Sequence, residues 1–136
     1  MDPLDIKDVD LLAYLFKDVG LRWELVIANT PNLTSLRGNT RLLQFLRQHQ
    51  IIFHVESSVN VPQIVEINNV FYFTKTIYNT TGSFLKHLRN SIMHGNFRLD
   101  NISNVNIMTF WDMHRNNYTM SGKISIDLLK ELMKSI

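Results

Sequence analysis

The chain contains no cysteine, which excludes disulfide frameworks, thiolate zinc sites and thiol nucleophiles. Proline and glycine are scarce, three and five in 136 residues, and they read as punctuation between elements. No apolar run approaches the roughly 20 residues of a membrane span. The first ten residues, MDPLDIKDVD, are acidic and lack a basic-then-apolar leader. The expectation is a cytoplasmic protein with no membrane contact. Phosphate-cradling loops are missing too, since neither G-x-x-x-x-G-K-[ST] nor G-x-G-x-x-G occurs. There is no H-E-x-x-H, and His49 and His54 are one residue off the spacing that stacks two ligands on a helix. With carboxylates sparse in the middle of the chain, no metal or cofactor is expected.

What is present suits one domain spanning 1–136 with a sizeable core: 45% of residues are apolar and 19% charged. The formal net charge is only +2, but it is unevenly spread. Residues 1–24 carry a balance of −3, residues 25–98 one of +5, and 99–136 are neutral. The basic middle also holds His49, His54, His87 and His94. Such a surface attracts phosphates, although ordinary solvated helix faces give the same count.

Apolar spacing predicts a helix over 8–28 through Leu12, Leu15, Phe16, Val19, Trp23, Val26 and Ile27, weakened by Gly20. A second helix is predicted over 40–54. The stretch 62–78 reads as a helix sharing Ile64, Ile67, Phe71 and Tyr78, or as two strands around Asn68-Asn69; helical surroundings favour the helix. Ser83 is a plausible N-cap for a helix through His94, with Gly95 as its stop. VNIMTFWDM (105–113) looks like a strand, turned back at Ser121-Gly122, and Ser125 begins a last helix over 126–134. The fold class expected is mainly α, with a short β-hairpin before the last helix.

One segment concentrates reactive side chains. FLKHLRNSIMHGNF (84–97) places Lys86, His87, Arg89, Asn90 and His94 on a single predicted helix. Asn90 and His94 lie one turn apart with Arg89 beside them. A fixed cation, an amide and an imidazole at a helix end suit a phosphodiester and a proton transfer. Chance spacing with a solvated Arg and a His on the helix dipole is the plain alternative. Lys86 and His87 are weaker candidates for phosphate contact, or simply solvated. Trp23, Trp111 and most of the methionines read as core, and Asp112 as a turn cap or a group that orients a histidine.

RNSIMHG resembles the R-x(4–6)-H signature of HEPN domains, with the polar residue that commonly follows the Arg. The flanking FLKHL, hairpin and final helix are similar to small HEPN proteins of bacterial plasmids and mobile elements. The resemblance implies a four- to five-helix bundle that forms a homodimer with the two signature helices facing each other. It also implies RNA as substrate, a possible cognate antitoxin, and a toxin or defence role. By motif position Arg89 and His94 become the active pair and Asn90 the polar helper. Cleavage would use the RNA 2′-OH as nucleophile without a metal. Other members have lost catalysis and bind a nucleotide, RNA or a protein partner. In the branch silenced by a nucleotidyltransferase antitoxin a Tyr stands two residues after the His. Here that position is Asn96, so tyrosine modification at this motif is not expected.

Overall fold

The structure, a computed structural model, describes residues 9–59 and 68–136. Among the described residues, four helices and a five-stranded mixed sheet make an α/β fold, so the expected mainly helical bundle is wrong. Helix α1 covers residues 9–25, followed by α2 (Thr40–Gln48), α3 (Thr80–Met93) and α4 (Ile126–Lys134). The strands are β1 (Ile52–Val55), β2 (Val70–Phe73), β3 (Phe97–Ile102), β4 (Val105–His114) and β5 (Asn117–Ser125). Their order is β1-β2-β5-β4-β3, with β1 parallel to β2 and the remaining pairs antiparallel.

The extra strands come from segments that local signals assigned elsewhere. The second helix stops at Gln48; Gln50 takes a φ of 53°, and Ile52–Val55 then pairs with Val70–Phe73. A run of apolar residues serves a strand as well as a helix, and the sheet decides between them. Val70–Phe73 is likewise a strand, with both edges taken by β1 and β5, while 62–67 lies outside the described residues. Strand β3 went unread because its flanking turn lacks Asn-Gly. Ser103-Asn104 and Arg115-Asn116 nevertheless form two-residue turns, all four residues at positive φ, the geometry that matches hairpin twist. Gly122 therefore makes no turn. It sits inside β5 opposite Phe71 and Phe110, where an added Cβ would lie 2.6 Å from the Val70 carbonyl oxygen.

One face of the sheet carries Phe71, Phe73, Phe97, Met108, Phe110, Met120 and Ile124, all fully buried. Against it lies α3, which in turn is covered by the middle of α1. The buried residues of α1 and its continuation recur every fourth position: Leu11, Leu15, Val19, Trp23 and Ile27. On a regular α-helix four such steps would rotate the stripe by about 160°. A π-helical stretch, Leu15–Leu21, widens the turns and keeps the stripe on α3. Phe16 and Val26, expected in this stripe, are left exposed. Gly20 lies in the π-helical stretch, where the Met93 side chain of α3 fills the space a Cβ would take.

Helix α4 starts as expected, with Ser125 Oγ accepting from Leu128 N at 3.2 Å. Its far end is held from outside. Arg22 donates to the carbonyls of Met133 and Ile136, Arg41 to that of Lys134, and Asn39 to that of Ser135. Among the described residues, no helix is long and apolar enough to cross a membrane.

Candidate active site

Helix α3 carries the signature residues and is fixed at both ends. Its N-cap is Asn79, not Ser83: Asn79 Oδ1 accepts from Gly82 N at 2.7 Å and its Nδ2 donates to Thr34 Oγ1 at 3.1 Å. Ser83 is fully buried instead, and its hydroxyl bonds Thr76 N, Thr76 Oγ1 and the Tyr78 carbonyl. At the other end Gly95 takes a φ of 71° and donates to the Ile92 carbonyl. Asn96 N–H reaches the Ser91 carbonyl at 2.8 Å, completing a Schellman closure just beyond His94. The expected glycine stop is thus in place.

Five side chains from three elements join in one hydrogen-bonded line. Arg89 ion-pairs with Glu24 of α1 through Nη2, and its Nη1 donates to Asn90 Oδ1 at 2.8 Å. Asn90 Nδ2 donates to Asp112 Oδ2 at 3.2 Å. The same carboxylate oxygen lies 2.8 Å from His87 Nδ1, and Asp112 Oδ1 accepts from Met113 N at 2.9 Å. His87 Nε2 sits 2.7 Å from the Thr74 carbonyl oxygen and 3.4 Å from Thr74 Oγ1.

Burial grades along this line. His87 and Asp112 are 4% and 3% exposed, whereas the side chains of Arg89 and Glu24 are 28% and 45% exposed. Arg89 Nε is buried and has no hydrogen-bond partner among the described residues. His94, the C-cap residue, is exposed and one turn beyond Asn90. The arrangement thus runs from a buried His–Asp pair, through an amide, to a guanidinium at the surface. The exposed imidazole shares the helix end.

Lys86 stands apart from the line, with Nζ over the Tyr78 ring at 5.5 Å from its centroid. That ring packs edge-on against buried Trp23. His87 faces inward rather than toward solvent, with both ring nitrogens engaged. Among the described residues, no three His, Asp or Glu side chains converge as metal ligands do.

Glu24 is a member of the site that sequence reasoning missed, whereas Asp112, read as a turn cap or a group that orients a histidine, bonds His87. Asp112 had a readable signal. Met108, Phe110 and Asp112 alternate on β4, so the carboxylate occupies a core position and needs a partner with protons to give. Glu24 had none, because its partner is set by how α1 packs on α3.

A family model, HEPN pEK499 p136, matches residues 28–136. The chain belongs to this HEPN family, and is a HEPN domain of the plasmid-encoded kind. No curated protein and no solved structure matches it. Arg89, Asn90, His94, His87 and Asp112 fall within the matched stretch, and Glu24 lies before it.

Proposed function

We propose that this HEPN domain is a ribonuclease that cleaves RNA without a metal ion, as a homodimer, in the role of a toxin or defence effector. The observation that carries this reading is a half-exposed Arg89 tied by Asn90 to a buried anchor, with an exposed His94 on the same helix end. In the reaction the 2′-oxygen attacks phosphorus as His94 takes its proton. The bond from phosphorus to the 5′-oxygen breaks, and a second acid protonates that oxygen. The products are a 2′,3′-cyclic phosphate and a 5′-hydroxyl. Arg89 faces the negative charge that builds on the phosphoryl oxygens in the transition state and is absent from the ground state. One helix end supplies one imidazole, whereas the reaction uses a base and an acid. A two-fold pair of chains supplies both.

A second reading is a catalytically silent HEPN module that binds a nucleotide, RNA or a protein partner. It is favoured by one contact, the Glu24 carboxylate that occupies Arg89. RNA cleavage in excess chelator separates the two. Under the first reading His94→Ala loses at least ~100-fold, the usual weight of acid–base catalysis, and Arg89→Ala also falls. Binding without cleavage, or equal cleavage by wild type and both variants, rejects it. Growth arrest on expression, relieved by the same substitutions, tests the toxin role.

A further inference from the structure

We propose that the buried His87–Asp112 pair is a positioning device: it fixes which way round the Asn90 amide sits and thereby aims the Arg89 guanidinium. This rests on the ribonuclease reading for its effect on rate. The orientation itself stands on geometry alone.

The polarity of each bond fixes the orientation. A backbone carbonyl only accepts, so His87 Nε2 donates to Thr74 O at 2.7 Å. An ionised carboxylate also only accepts, so His87 Nδ1 donates to Asp112 Oδ2 at 2.8 Å. His87 thus holds one hydrogen on Nε2 toward Thr74 and shares another with Asp112 across the 2.8 Å contact. With His87 Nδ1 on Oδ2 and the Met113 N–H on Oδ1, Oδ2 keeps one lone pair for a further donor, and Asn90 Nδ2 supplies it at 3.2 Å. An asparagine amide has nearly the same shape either way round, so only its partners decide which end is oxygen. Here the buried acid takes the NH2 group, which leaves Oδ1 facing outward to accept from Arg89 Nη1 at 2.8 Å. Turned over, the amide would set two acceptors against each other at Asp112 and two donors at Arg89.

The strand beneath is shaped for the same purpose. The β4–β5 register slips between Asp112 and Met113, leaving Thr119 as the extra residue next to the carboxylate. Bulges of this kind re-aim side chains beside functional sites. Stability alone does not account for the pair, because apolar side chains of similar volume commonly replace a buried ion pair at no cost. What they cannot do is choose the polarity of an amide.

The test uses the full chain with two changes, Asp112→Asn and the paired replacement His87→Phe with Asp112→Leu. The paired variant keeps its melting temperature if folding was never the reason for the charges. Its kcat for RNA cleavage is expected to fall about tenfold or more with KM within about twofold, the scale seen when groups that orient site ligands are removed. In an Arg89→Ala background Asp112→Asn should cost less than about twofold further, since its route to the reaction is already gone. A paired variant that cleaves like wild type overturns the proposal, as does an Asp112→Asn loss of equal size with and without Arg89. Should wild type not cleave at all, the ribonuclease reading fails, and the orientation is read from side-chain amide proton exchange at Asn90. Exchange at least about tenfold faster in the paired variant supports the anchor; unchanged exchange rejects it.

Discussion

Glu24 and Arg89 lie 65 positions apart and form an ion pair between α1 and α3. Both partners are partly solvated, so the pair contributes at most about 1 kcal/mol to folding. Its weight falls on direction. A guanidinium held by a carboxylate on one side and an amide oxygen on the other is aimed, and the Glu24 carboxylate competes with any phosphate that arrives. The residue that carries the proposed transition-state role is therefore held from two sides.

Replacing Glu24 with Gln should relax that hold. The expected result is a melting temperature close to wild type and RNA bound a few-fold more tightly at low salt, since one negative charge leaves the phosphate site. Anisotropy titrations of a non-cleavable RNA check it; weaker binding would count against a phosphate-facing Arg89.

Tyr14 gives a pH signature. Burial, reinforced by the nearby Asp18 charge, pushes its hydroxyl from 10.0 up to about 12. Between those values the unfolded chain has released a proton that the folded chain still holds, so stability falls as pH rises through this window. The hydroxyl is buried and has no hydrogen-bond partner among the described residues, while Lys130 Nζ sits over the ring. Tyr14→Phe keeps the ring, so at pH 7 it should be neutral or stabilising. Its alkaline loss of stability, followed by urea denaturation at several pH values, should be shallower than wild type.

Gly122 has no room for a side chain. A methyl group there meets the Val70 carbonyl oxygen at 2.6 Å and Phe71 Cγ at 2.7 Å, and Phe71 is fully buried with no room to move. Gly122→Ala is expected to cost about 3 kcal/mol or more, at the upper end of overpacking. Chemical denaturation measures it, and a cost under about 1 kcal/mol would contradict this packing.

The Arg115-Asn116 turn can be improved. Both residues sit at positive φ, 50° and 66°, a region that asparagine tolerates and arginine disfavours. Installing Asn-Gly at 115–116 suits the same geometry and should add about 0.5 kcal/mol or more. A rise in melting temperature with unchanged cleavage is the expected outcome.

The last helix, its Ser125 cap and the Gly95 stop were all legible because each rests on neighbours in sequence. The Arg89, Asn90 and His94 set was legible for the same reason, being written within six residues of one helix. What escaped depends on contacts between distant segments. Ile52–Val55 is a strand because Val70–Phe73 lies alongside it, and nothing local to IFHV says so. Ser83 offered good capping chemistry, yet Asn79 takes the cap because Ser83 is drawn into the core by Thr76 and Tyr78. His87 was weighed as a phosphate contact although its helical position, one turn from Phe84 and from Ser91, points it inward.

Helix α1 lies wholly before the stretch shared with the family, yet it cannot be an appendage. Arg22 supplies protons to the last carbonyls of α4, Leu15, Val19 and Trp23 roof over α3, and Glu24 reaches the signature arginine. A truncated protein starting at the family boundary would lose that roof, bare α3 to water and leave α4 fraying. Minimal expression clones drawn from the family limits would then report on a damaged molecule, and an inactive one would say nothing about the intact protein.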